Sequence, residues 1–174
     1  MTILSDRDIR AYLAGGVLHI DPLGPEAIRP ASVDLRLGPA LLIDTPDGHR
    51  THHLIDDGPY RLHRPDFVLG ATLERITIPN TLAGVLAGKS SRAREGLVLE
   101  SAGYCDPGWD GALTVELTNL SPRPVVLTVG MWIGQIRFET LLSRCSRPYG
   151  SDASSHYQFS TGPVESRGAV GRQS

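Results

Sequence analysis

The sequence predicts a mainly β fold: a sandwich or barrel of short strands, one N-terminal helix, and a flexible C-terminal segment. Two patterns carry that reading. From Phe67 onward, short apolar runs follow one another as FVLGATLERITIP, LAGVLAG, LVLES, GALTVELTN, PVVLTV and MWIGQIRFETL. Gly, Pro and Asn separate them at short intervals, which favours an all-β arrangement over βαβ units. Earlier, in SVDLRLG, Val33, Leu35 and Leu37 alternate with Ser32, Asp34 and Arg36, the period of a half-buried strand.

Each element has a local reason. Ser5 is a helix N-cap and Asp8 an acid in the first turn, where the helix dipole favours negative charge. Ile9, Tyr12 and Leu13 share one face, and Gly15-Gly16 ends the helix. Val17, His19 and DPLGPEAI lead into the SVDLRLG strand, and Leu41 to Asp44 is a further short strand. Thr45 to Pro65 reads as loop-rich and carries His49, His52, His53 and His63. A metal site is the sharp reading of those histidines. Their spacing matches no ligand pattern and no Cys pair stands beside them, so a solvated loop is expected. Pro122 and Pro124 suit a turn entering a strand. After Pro148 the chain turns polar, and residues from about 168 to 174 read as a disordered tail.

Composition narrows the function. The 174 residues fit a single domain spanning 1–174 with a sizeable core. A net charge of -2 leaves no basic footprint for nucleic acid. No apolar run approaches a membrane span. The two cysteines, Cys105 and Cys145, are far apart and form no CxxC pair. With no signal peptide in view, free thiols and a cytoplasmic location are expected.

The chemistry concentrates between Gly88 and Asn119, in GKSSRAREGLVLESAGYCDPGWDGALTVELTN. Lys89, Ser90, Ser91, Arg92 and Arg94 gather cations and hydroxyls after a glycine, a set suited to phosphate oxygens. CDPGWDG reads as a tight turn, with Pro107 presetting φ and Gly108 and Gly111 free to adopt uncommon conformations. The strand that follows holds Glu116 inside the run LTVEL. A carboxylate there costs free energy unless it is hydrogen-bonded, used, or turned to water at a sheet edge.

These motifs resemble the deoxycytidine triphosphate (dCTP) deaminases, which share a superfamily with the trimeric deoxyuridine triphosphatases. The resemblance rests on GKSSRAR-x-GL, AGYCDPGWDG and VELTN. It extends to IRPASVDLRLG (Ile28 to Gly38), FVLGATLERITIP (Phe67 to Pro79) and VGMWIGQIRF (Val129 to Phe138). RPYG, HYQ and GPVESR fit the family's C-terminal segment. Nearly the whole chain is covered, in order, whereas a lone KSS would carry nothing.

The resemblance implies a deoxyuridine triphosphatase-like β fold and hydrolytic deamination, dCTP and water giving dUTP and ammonia. Glu116 would be the general base on a water, without zinc; the His-x-Glu and Cys-x-x-Cys signature of zinc deaminases is absent. Glu100, at the end of LVLES, is the rival carboxylate on pattern alone. Ser90 and Arg94 would orient the water and the developing charge, and the backbone of Ala102 would help hold that water. Asp106 would accept the sugar 3′-hydroxyl. Thr114 and Val115 would offer backbone groups to the pyrimidine edge, Lys89 and Tyr149 would contact the triphosphate, and Ser91 would be among the substrate-binding residues. Tyr149 to Arg167 would order over the triphosphate. Mg²⁺ would arrive on the nucleotide and not in a protein cage. The family further implies a homotrimer or dimer of trimers, with active sites between subunits.

Residue types alone leave blander roles open: turn formation for Ser90 and Ser91, a surface ion pair for Arg94, an Asx turn for Asp106. The chain also departs from the family. Leu99-Glu100-Ser101-Ala102 stands for a His-Ser-Thr-Ala type of run, one residue short, with an acid near the missing histidine. His156 replaces a phosphate-binding lysine, and Ser160 replaces a glutamine. A histidine is only partly charged at neutral pH, so a modified or less phosphorylated cytosine nucleotide comes into range. Three alternatives follow: dUTP pyrophosphohydrolysis with Asp106 as base, both reactions in one enzyme, and a nucleotide-binding regulator without turnover.

Overall fold

A computed structural model describes residues 2–100, 103–151 and 155–167. Ala102 and the tail from residue 168 lie outside these. In chain order the elements begin with β1 (Thr2–Ile3), α1 (Asp6–Ala14), β2 (His19–Asp21), β3 (Ile28–Arg29), β4 (Ser32–Arg36) and β5 (Ala40–Thr45). Then come β6 (Gly48–His53), β7 (Tyr60–Leu62), β8 (Phe67–Thr77), β9 (Leu82–Gly88) and α2 (Ser90–Glu95). Last are β10 (Leu97–Glu100), β11 (Tyr104–Cys105), β12 (Asp110–Asn119), β13 (Val125–Leu127) and β14 (Trp132–Thr140).

Among the described residues, β7 and β13 form a separate antiparallel pair, and the other twelve strands form two six-stranded sheets, as the alternation and punctuation predict. One runs β11-β9-β14-β4-β3 with β1 added on β14; the other runs β10-β12-β8-β5-β6 with β2 added on β8. All of their pairings are antiparallel. Val33, Leu35, Ile136 and Phe138 of the first sheet and Val68, Ile76, Val115 and Leu117 of the second share one apolar core. Burial of such side chains is the main favourable term in folding.

The helix α1 starts as its sequence requires. The Ser5 hydroxyl accepts from the Asp8 amide at 3.4 Å while the Asp8 carboxylate accepts from the Ser5 amide at 3.1 Å, a reciprocal capping box. Ile9 seats the helix in the core.

Two segments differ from expectation. Thr45 to Pro65 is not simply loop: β6 pairs with β5 as a hairpin from Thr45↔Gly48 to Ala40↔His53. The signal is Asp47-Gly48, whose glycine has φ 113, a conformation a hairpin turn asks for. Histidines masked the strand by making it polar. Ser90 to Glu95 is a short helix and not a bare turn, closed by Gly96 at φ 95. A Cβ at Gly96 would stand 2.4 Å from the Ser121 side chain, so only glycine fits.

Candidate active site

β12 carries the strand carboxylate. Leu113, Val115, Leu117 and Asn119 are buried, while Thr114, Glu116 and Thr118 are half-buried on the opposite face. Glu116 stands in register between Leu69 of β8 and Glu100 of β10. Its Oε2 is buried with no hydrogen-bond partner. Burial pushes the Glu116 carboxyl above the usual range; its own backbone amide opposes this, and the nearby Glu100 charge adds to the rise. The side chain is a carboxylate with a free oxygen and a bias toward holding a proton. That is what a base poised for transfer needs, and not the fully hydrated group of a sheet edge.

The edge of β12 is shared. β10 pairs with it from Asn119 back to Glu116, and the C-terminal segment takes over at Thr114. There the Thr114 hydroxyl accepts from the Val164 amide at 3.2 Å. The Ala112 amide donates to the Ser160 carbonyl at 2.8 Å, and the Phe159 amide to the Asp110 carbonyl at 2.7 Å. Gln158 clasps the turn before β12: its Oε1 accepts from the Asp110 amide and its Nε2 donates to the Gly108 carbonyl. Glu116 therefore lies at the place where one edge partner hands over to another. Val115 sends its side chain into the core, which leaves only its backbone for a ligand.

The turn is held tightly. The Trp109 amide donates to the Asp106 carbonyl at 3.1 Å, and Gly108 has φ 91. Tyr149 packs its ring on Trp109 at 5.4 Å, and its amide donates to the Pro107 carbonyl. Its hydroxyl accepts from the Tyr157 amide at 3.0 Å. The Asp106 carboxylate is left exposed. Burial, with the Asp106 charge beside it, pushes the Cys105 thiol up to about 12.

The cationic segment divides its labour. Lys89 is the N-cap of α2, but its ammonium reaches the buried Asp34 at 2.5 Å, where Arg29 also binds at 2.7 Å. The structure thus ties Lys89, expected on the phosphates, to β4. Arg92 donates to the Trp132 carbonyl and pairs with Glu95. Ser90, Ser91 and Arg94 are exposed. Among the described residues Arg94 has no hydrogen-bond or ion-pair partner, so the surface ion pair open to it is not formed here.

The substituted C-terminal positions serve the segment itself. His156 is exposed and stands edge-on to Tyr157 at 6.4 Å. The Ser160 hydroxyl donates to the Tyr157 carbonyl at 2.6 Å. Arg167 closes the loop, donating its amide to the Tyr157 hydroxyl and its guanidinium to the His156 carbonyl. Sequence reasoning missed Gln158 as the clasp and missed His49, whose Nδ1 meets Glu165 at 3.1 Å. HYQ named the first without a role; nothing local announces the second. Among the described residues no three His, Cys, Asp or Glu side chains cluster as a metal site.

A family model, dCTP deaminase-like, matches residues 3–141. The chain belongs to the dCTP deaminase-like family. Its relatives include proteins called "dCTP deaminase, dUMP-forming". The one from Leifsonia xyli subsp. xyli is 42% identical over 180 residues, covering 95% of this chain and 90% of that one. The one from Mycobacterium tuberculosis strain H37Rv is 42% identical over 182 residues, covering 95% of each. The one from Nocardia farcinica is 43% identical over 182 residues, covering 95% of this chain and 90% of that one. Among solved structures, 2′-deoxycytidine 5′-triphosphate deaminase from Agrobacterium tumefaciens superposes with a TM-score of 0.67 at 24% identity. It covers 80% of this chain, which spans about half of that longer one (48%); this likeness shows the fold. Membership makes the protein a dCTP deaminase-like hydrolase. The family match spans α2, the Asp106 turn and β12 together, while the segment from Tyr149 onward lies beyond it.

Proposed function

We propose that the protein deaminates dCTP and carries the product on to dUMP, so that dCTP and two waters give dUMP, ammonia and diphosphate. The names of the relatives at 42% identity support dUMP as product in place of dUTP. The observation that carries the deamination half is Glu116, with a buried, partnerless oxygen and a raised proton affinity.

In this reading the Glu116 carboxylate takes a proton from a water as its oxygen attacks C4 of the cytosine. The same proton then goes to N3 as the tetrahedral adduct forms; the adduct's hydroxyl proton next passes through Glu116 to the amino group, the C4–N bond breaks, and ammonia leaves as the C4 carbonyl forms. One carboxyl group serves both transfers because its burial favours the protonated form that it holds between them. Ser90 and Arg94 orient water and charge, and Asp106 activates the second water against the α-phosphorus. The open hydroxyls of α2 and the unpaired Arg94 are free to meet polar or anionic groups of the nucleotide, which supports placing that helix at the site. Mg²⁺ enters as part of the triphosphate substrate. The same reading expects a homotrimer with sites between subunits, to be checked by analytical ultracentrifugation.

The test is an assay with dCTP, CTP, dCMP and dUTP, read separately as ammonia and as diphosphate. Wild type should release both from dCTP. Glu116→Gln should lose ammonia release by on the order of 10²–10⁴-fold while still binding nucleotide. Asp106→Asn should lose diphosphate release. Accumulation of dUTP without diphosphate would refute the two-step reading. A Glu116→Gln rate above roughly a tenth of wild type would remove Glu116 from the base role.

A further inference from the structure

One carboxylate at this site has no part in the scheme so far. Glu100 closes β10 directly opposite Glu116. Residues in register project from the same face of an antiparallel ladder, with Cβ atoms about 4.5–5.5 Å apart. Leu99 and Leu117 form the pair before it, and Val98 and Thr118 the pair before that. Like charges so placed repel. Fold stability alone gives no reason to set two acids there.

Among the described residues, the neighbours in register on the other sides are uncharged. β8 presents the nearly buried Leu69. Along β12 the same face holds Thr114 and Thr118. The C-terminal segment brings Val164 to Thr114 and turns Glu165 away to His49. No described cation is hydrogen-bonded or ion-paired to either carboxylate. Glu100 is exposed while Glu116 is partly covered.

We propose that Glu100 is a positioning residue of the deamination site, set across the ladder so that its charge drives the water's proton onto Glu116. It touches neither water nor nucleotide. In the step it assists, a water O–H bond breaks, the electron pair forms the O–C4 bond, and the proton goes to the Glu116 carboxylate. The inference rests on Glu116 being the base. It belongs to this chain's own sequence, because an acid stands here near the place of a missing histidine.

The experiment compares wild type, Glu100→Gln and Glu100→Asp as full chains. The pH dependence of kcat/KM for ammonia release is measured, and the Glu116 side-chain carboxyl carbon is followed by NMR. Glu100→Gln should move the acidic limb and the Glu116 titration down by on the order of one pH unit, the reach of a charge at this separation near a surface. Glu100→Asp should restore most of that shift. Added salt should narrow the gap between wild type and Glu100→Gln, since exposed charges are screened. Unchanged limbs and titrations in a folded Glu100→Gln protein would overturn the proposal. Should that variant melt early, Glu100→Ser is read in the same way. An inert Glu116→Gln with an unshifted Glu100→Gln would leave the base reading standing and remove Glu100 alone. An active Glu116→Gln would remove both.

Discussion

Glu116 is held in its strand at a cost. Its carboxyl is raised in the fold by burial, so the contribution it makes to stability is present below the unfolded pKa and is lost as pH rises through the folded one. At neutral pH the ionised side chain therefore works against folding. Glu116→Gln should raise the melting temperature by roughly 1–3 °C near neutrality, with the gain fading below about pH 4 as both states bind the proton. A scanning calorimetry series across pH measures it, and an unchanged or lower melting temperature at neutrality would contradict the burial argument. The two thiols should part company as well. Cys105 is buried with its thiol pushed up to about 12, while Cys145 is only partly covered. Thiolates are the reactive form, so a maleimide should label Cys145 in the native protein and reach Cys105 only on unfolding. Mass spectrometry of the labelled peptides decides it.

At the scale of elements, β12 depends on a borrowed edge partner. Gly111 has φ 155, and a Cβ there would stand 3.0 Å from the Ser160 amide and 3.1 Å from its carbonyl. Gly111→Ala should push the C-terminal segment off β12, weakening the Ala112–Ser160 and Asp110–Phe159 bonds. Limited proteolysis should then cut between residues 150 and 167 several-fold faster than in wild type. Equal cutting rates would mean that the segment is not docked through this contact. β12 was legible because an apolar run follows a Pro-Gly turn, and Glu116 was legible because it interrupts that run. β6 was hidden because its exposed face is histidine and arginine, and exposed hairpins need no apolar alternation. Lys89 was legible as a cation after a glycine, but its partner Asp34 lies far back in sequence. Gln158 and His49 act across long separations, which no local pattern encodes.

For the molecule as a whole, Asp34 is a tie within the first sheet. Its side chain is fully buried on β4, and Lys89, just beyond β9, reaches it across the intervening β14. Removing one partner of a buried ion pair leaves an uncompensated charge. Arg29 remains in Lys89→Met, so the loss should be about 2 kcal/mol, less than for an isolated pair. Denaturant unfolding of Lys89→Met and of Lys89→Met with Asp34→Asn checks it, since the second change should recover much of the first. No recovery would mean that Lys89 stabilises by packing alone.

The two carboxylates assigned to the two reaction halves rest on different supports. Glu116 stands in mid-strand between β8 and β10, while Asp106 stands on a turn fastened by Tyr149 and Gln158. A substitution in β10 alters the edge beside the first, and a change in the C-terminal clasp alters the turn that carries the second. In the proposed two-step scheme, one half-reaction can therefore be adjusted or lost while the other persists, and the end product can change without any change of architecture.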